Sequence, residues 1–192
     1  MRARGTTLHT AILGLLSETP LHGYELRKRL NMLLGSFRAL SYGSLYPALK
    51  ALEAYGYIET DTNLGASRLS AVQTKRSRIV YELTPTGESH WHELIAGAGP
   101  DDWEDESFDV RFAFFGQTDR NTRINVLQGR RLKLTERLEG MKKMALERVG
   151  GQPYDEFKTE LRRHTIEQLE QELSWLDDLI EVEKKRAHVQ SS

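Results

Sequence analysis

From the N-terminus, the first apolar positions fall at Leu8, Ala11, Ile12, Leu15 and Leu16. Steps of three and four put them on one helical face, which predicts a helix over 7–16 that Thr19-Pro20 breaks. The same spacing predicts a second helix over 22–34, with Tyr24, Leu26, Leu30, Leu33 and Leu34 facing inward and Gly35 marking its end. A third begins near Ser41-Tyr42-Gly43-Ser44, where either serine can cap it, and carries Leu45, Leu49 and Leu52 to a terminating Gly56. Pro47 falls near the first turn, where a missing N–H costs little. The period then changes. Tyr57-Ile58-Glu59-Thr60 is short and strand-like, and over 77–84 Ile79, Tyr81 and Leu83 alternate with Arg78, Val80 and Glu82. Three helices and two strands predict a winged helix-turn-helix. The polar stretch 61–77 is long for a hairpin tip and predicts an extended wing.

Thr84-Pro85-Thr86-Gly87 opens a further helix carrying Trp91, Leu94 and Ile95. Residues 97–117 read as a linker, glycine-rich and acidic at first and aromatic from Phe108 to Phe115. Thr118-Asp119 caps a long helix over about 119–149, with Leu127, Leu134, Leu138, Met141 and Ala145 in register and Arg131 interrupting the seam. Gly150-Gly151-Gln152-Pro153 breaks the chain. A last helix over about 154–187 aligns Leu161, Leu169, Leu173, Leu176, Leu179 and Ile180. The predicted fold class is therefore mainly α, a winged head over 1–96 and a helical hairpin over 118–192. The hairpin's stripes exceed what one helix covers on the other. That predicts a homodimer seam of Leu134, Leu138, Leu169, Leu173, Leu176 and Ile180, the other reading being packing within one chain.

Charge sharpens this picture. The whole chain of 192 residues carries a net charge of only -1, but residues 1–81 carry +6 and the remainder -7. A basic front on an acidic rear suits a head that binds a polyanion. There are no cysteines, which rules out a disulfide scaffold or a thiolate zinc site and suits a reducing cytoplasm. No apolar run approaches the roughly 20 residues that span a bilayer, and the start of the chain lacks a cleavage pattern, so neither membrane nor secretion is expected.

Four segments carry a family likeness. They are His22-Gly23-Tyr24-Glu25-Leu26, Tyr42-Gly43-Ser44-Leu45-Tyr46-Pro47 with the following Leu49 and Glu53, Gly56-Tyr57-Ile58, and Tyr81-Glu82-Leu83-Thr84-Pro85-Thr86-Gly87. In order and spacing they resemble the PadR family of bacterial transcriptional regulators. The Phe112-Ala113-Phe114-Phe115 and Glu172-Leu173-Ser174-Trp175-Leu176 stretches are similar to the family's helical second half. The long wing departs from the family's compact hairpin. The resemblance implies a DNA-binding regulator, a repressor acting as a homodimer on an inverted repeat. It also implies release by a small aromatic or drug-like effector held between head and C-terminal helices.

The residues allow such a role. With Leu45, Leu49 and Leu52 set against the core, about 100° per residue turns Gly43, Pro47, Lys50 and Ala54 outward, with Ser44 and Tyr46 on the flanks. A face of small side chains, hydroxyls and one ammonium can lie close in a major groove and meet phosphates. Candidate contacts to double-stranded DNA are Tyr42, Gly43, Ser44, Tyr46 and Lys50 of this helix, Lys28 of the one before, and Arg68, Lys75, Arg76 and Arg78 of the wing. Tyr42 and Tyr46 have a second reading, as seals of the head's core. Trp91, Trp103, Phe112 and Phe115 are candidates for an effector pocket, with ordinary interior packing as the alternative. No cofactor, metal site or catalytic constellation is expected: His90 and His92 stand two apart on a helix, and no P-loop or dinucleotide motif occurs. The runner-up function is a winged-helix module that binds proteins rather than specific DNA.

Overall fold

The structure is a computed structural model that describes residues 2–34, 42–61, 79–146 and 155–189. It divides into two compact units, one of residues 1–97 and 105–118, the other of 98–104 and 119–192.

The first unit is built around α1 (Arg2–Glu18). Ala11, Ile12, Leu13, Leu15 and Leu16 are all buried, because α2 (Gly23–Leu33), α3 (Tyr42–Ala54), α4 (Pro85–Ala96) and α5 (Asp105–Ala113) pack around it. A helix hydrophobic on several sides belongs inside a small domain. Gly14 belongs to the same stretch, and the Phe114 ring lies where its side chain would be. That allows Phe114 to meet Trp91 edge-on, with ring centroids 5.1 Å apart.

The sheet has three strands in the order β1-β3-β2, from β1 (Leu21–His22), β2 (Ile58–Asp61) and β3 (Val80–Leu83), both pairings antiparallel. Sequence periodicity predicts only two strands, since a two-residue strand is shorter than any alternating pattern. Its pairing of Leu21 with Tyr81 makes β3 central and buries Val80 along with Tyr81. On α2, Leu26 and Leu30 are buried as predicted, but Tyr24 is 66% exposed. Two residues before Leu26, it sits about 200° round the helix from the core.

The second unit pairs α6 (Arg120–Leu146) with α7 (Glu156–Val189). Val126, Leu127, Leu134 and Leu138 of α6 and Leu169, Leu176 and Ile180 of α7 are buried. The partnerships run antiparallel. The Arg123 guanidinium donates to Glu183 at 2.8 Å and that of Arg130 to Glu172 at 2.8 Å, and Lys142 meets Glu170 at 2.6 Å. Arg131 does not break the seam: it lies outside it and pairs with Asp177 at 2.5 Å. Asp119 caps α6, its carboxylate accepting the Thr122 N–H at 3.0 Å. Asp155 does the same for α7 through the Lys158 N–H at 3.1 Å.

Residues 97–117, predicted as a linker, are largely ordered into elements of both units. A 3-10 turn at Pro100–Trp103 belongs to the second unit, and α5 with a 3-10 turn at Phe115–Gln117 to the first. Arg111 is the residue that ties this stretch into the first unit. Buried at 4% exposure, it donates to the carbonyls of Leu94, Ile95 and Gly97 at 2.9, 3.2 and 2.6 Å. These are carbonyls that the end of α4 leaves unmatched, at the pole that favours a cation.

Candidate nucleic-acid interface

α3 presents two faces. Leu45, Ala48, Leu49 and Leu52 are buried against the core, while Gly43, Ser44, Pro47, Lys50, Glu53 and Ala54 are exposed. Tyr46 lies half-buried on the flank and packs on the core cluster. Tyr42 opens the helix, and its side chain lies outside the described residues. Pro47 stands six residues in, where it withholds an N–H from the Gly43 carbonyl. Both residues are exposed, so water can take that carbonyl.

The end of α3 is fixed by a three-way knot. Gly56 takes a φ of 72°, and its N–H reaches the Glu53 carbonyl at 2.9 Å while that of Tyr57 reaches Leu52 at 3.0 Å. This is the double closure of a Schellman turn. Thr84 then binds the turn to α4. Its hydroxyl donates to the Gly56 carbonyl at 2.5 Å and accepts the Gly87 N–H at 3.0 Å, while its own N–H donates to the Tyr57 carbonyl at 3.1 Å. Pro85 at the first position of α4 has no N–H to lose. Gly87 lies so close that an added Cβ would stand 2.7 Å from the Tyr57 carbonyl carbon, and nearer still to its oxygen. The Thr-Pro-Thr-Gly segment thus holds the outward helix and strand β3 in fixed register. Burial pushes the Tyr81 phenol up, helped by Tyr46 and Glu53, so it stays neutral beneath α3.

Lys50 has no ion-pair partner among the described residues, leaving its ammonium available to an incoming anion. Lys28 is 60% exposed and 3.9 Å from Glu25. Arg68, Lys75, Arg76 and Arg78, with most of the predicted wing, lie outside the described residues. Tyr24, read from sequence as inward, adds an exposed phenol on α2; its offset from Leu26 was the available signal.

The aromatic candidates do not form one group. Trp91 is 1% exposed, and its indole N–H donates to the Gln117 side chain at 2.8 Å. Phe112 and Phe115 meet at 5.0 Å, half-buried in the same unit. Trp103 belongs to the second unit, where its ring lies over Gly129 and its carbonyl accepts from Arg130 at 2.9 Å. Of the predicted dimer seam, Leu134, Leu138, Leu169, Leu176 and Ile180 are buried within the α6–α7 pair of a single chain, and Leu173 is half-buried. That seam is satisfied internally. The apolar side chains left outward on this unit include Leu132, Met144, Phe157, Leu161, Trp175 and Val182. Among the described residues no cluster suited to a metal ion occurs, and no helix is long and apolar enough to cross a membrane.

A helix with a small-residue outer face, set beside a three-stranded sheet on a helical core, defines a winged helix-turn-helix. Residues 12–93 match the model of the transcriptional regulator PadR-like family. Over 88 residues the chain is 32% identical to the negative transcriptional regulator PadR of Bacillus subtilis (strain 168). That stretch is 46% of this chain and 44% of the relative, less than half the length of either. Through this segment the chain is similar to the PadR-like family of transcriptional regulators. Solved structures similar to it include Bacillus subtilis PadR with operator DNA, at 23% identity and a TM-score of 0.42, covering 92% of this chain and 98% of that one. The same protein with p-coumaric acid aligns at 22% identity and a TM-score of 0.40, covering 93% and 99%.

Proposed function

We propose that this chain is a DNA-binding repressor that acts as a homodimer on an inverted repeat and is released by a small aromatic effector. The observation that carries the reading is the division of α3, buried through Leu45, Leu49 and Leu52 and exposed through Gly43, Ser44, Pro47 and Lys50, within the family-matched segment. Small side chains permit close approach to a groove floor, and the Lys50 ammonium supplies a phosphate contact. Few groups on this face form bidentate bonds to bases, so affinity comes chiefly from phosphates and DNA shape. The wing cations Arg68, Lys75, Arg76 and Arg78 add to the phosphate count. The repressor sign is taken from the negative regulator that the chain resembles. The effector is taken from the relative's structure with p-coumaric acid. The second copy is expected on the outward stripe of α7, where Phe157, Leu161, Trp175 and Val182 recur at helical spacing.

A gel shift on DNA from upstream of the chain's own gene tests the reading, with a footprint of two half-sites about one helical turn apart. Lys50→Ala should weaken binding to all sequences and reduce the salt slope by about 1. An unchanged slope would remove Lys50 from the contact. Salt-insensitive capture of a protein, with no retention on DNA, would favour the protein-interaction module instead.

A further inference from the structure

The first unit contains a cavity of about 230 Å³ behind α3, away from the exposed face of that helix. Its floor is apolar, from Leu13 of α1, Leu52 of α3 and Leu94 of α4. Tyr57 and His90 also line it, stacked on one another with centroids 4.2 Å apart and planes 14° from parallel, so the stack offers an outer aromatic face. Tyr55, 64% exposed, stands at the mouth and tilts toward Tyr57 at 5.8 Å. His9 and Thr10 of α1 give the lining polar groups. The Thr10 hydroxyl is committed to the Thr6 carbonyl at 2.9 Å, but His9 has no hydrogen-bond partner among the described residues.

Three features select a ligand. The size is below the usual range for drug-sized molecules, yet above the roughly 150 Å³ that accommodates benzene, so one ring with a substituent fits. The stacked wall favours an aromatic face over an aliphatic one. No Lys, Arg, Asp or Glu lines the cavity, so a carboxylate or ammonium would enter without a counter-charge. Burial lowers the pKa of His9, which leaves a neutral imidazole with one donor and one acceptor nitrogen.

We propose that this cavity is a binding site for a neutral single-ring phenol, its ring against the Tyr57–His90 wall and its hydroxyl on His9. The site lies wholly within the first unit and uses none of Trp91, Trp103, Phe112 or Phe115. Leu52 and Tyr55 belong to the turn that ends α3, and Tyr57 leads into β2, so an occupant touches the knot that orients the outward helix. The inference differs from the relative's carboxylate ligand in calling for a neutral ring, and it rests on the effector reading only for its consequence; occupancy is measured without DNA. Ligand-free gel shifts judge the regulator reading separately.

The test is a titration of the ¹⁵N-labelled full chain with phenol, followed by amide shifts. Expected shifts concentrate on residues 6–13, 52–57 and 90–94, with a Kd of about 0.1–1 mM, as suits so small a ligand. His9→Leu and Thr10→Trp, the second filling the space, should each weaken binding at least about tenfold, as should replacing phenol by benzoate or cyclohexanol. A melting curve for each variant shows whether it folds, and if one fails the other decides. No shifts, shifts centred on Phe112 and Phe115, unaltered affinity in the folded variants, or equal binding of benzoate would each overturn the proposal.

Discussion

Replacing Gly87 by alanine should unfold the first unit at markedly lower temperature. Without a clash the change would help, because alanine in a helix is worth up to about 1 kcal/mol over glycine. Here the new Cβ would stand 2.7 Å from the Tyr57 carbonyl carbon and closer to its oxygen. Both partners are backbone, one in the first turn of α4 and one in the turn that ends α3, so no rotamer relieves the overlap. Forced overpacking costs about 1–3 kcal/mol. Separating the turns also strains the Thr84 bonds to Gly56 and Tyr57, at 2.5 and 3.1 Å, each worth about 1 kcal/mol. After the helix-propensity gain, the net loss is about 2–4 kcal/mol, or a fall in Tm of roughly 10–20 °C for a unit of this size. Calorimetry on Gly87→Ala reads it directly. Gly140→Ala, on α6 with nothing within 4 Å of an added Cβ, should shift stability the other way by up to about 1 kcal/mol. A Gly87→Ala protein that melts at or above the parent would refute the close approach.

Other outcomes follow from the same structure. Arg111→Met should destabilise the first unit by about 2–4 kcal/mol in urea, because a buried cation's three carbonyl partners at the end of α4 lose their donor; a change under about 0.5 kcal/mol would mean that water serves them equally well. Adjacent residues on α7 should part company. Leu176→Ala opens a cavity costing about 2–5 kcal/mol, whereas Trp175→Ser with Phe157→Ser should leave the hairpin folded and shift sedimentation from dimer to monomer. Unchanged sedimentation would move the second copy off that stripe. The hydrogen bonds from Thr122 hold the Asp119 carboxyl below its ordinary value, so its cap stabilises the fold above about pH 4 and is lost as pH falls through the depressed value. Asp119→Asn, which still caps, should therefore lose less stability than the parent between pH 5 and pH 2 in urea melts, and parallel losses would assign the acid sensitivity elsewhere.

Much of this architecture is written in short-range chemistry. Gly56 and Thr84 mark a helix end and a helix start by residue type alone, and both do so in the structure. The outward face of α3 follows from the spacing of Leu45, Leu49 and Leu52, because a helix with one buried stripe fixes the rest by rotation. What local pattern does not carry is partnership at a distance. β1 is two residues long and exists only because β3 passes beside it. Arg111 reads as a surface cation until the α4 carbonyls close over it. The leucines at 134, 138, 169 and 176 carry a period that suits a second copy or a second helix equally, and here a helix of the same chain covers them. The cavity residues His9, Tyr55, Tyr57 and His90 share no spacing at all, since three separate segments bring them together.

The small outer residues of α3 have a consequence for how such a regulator diverges. Gly43, Ser44 and Lys50 are solvent-facing and carry none of the core's packing. Changing them alters the shape and charge of the outward face while the leucines behind keep the helix seated. If the proposed DNA-binding role holds, copies of this chain can therefore drift toward new operators by single steps, each tolerated by the scaffold.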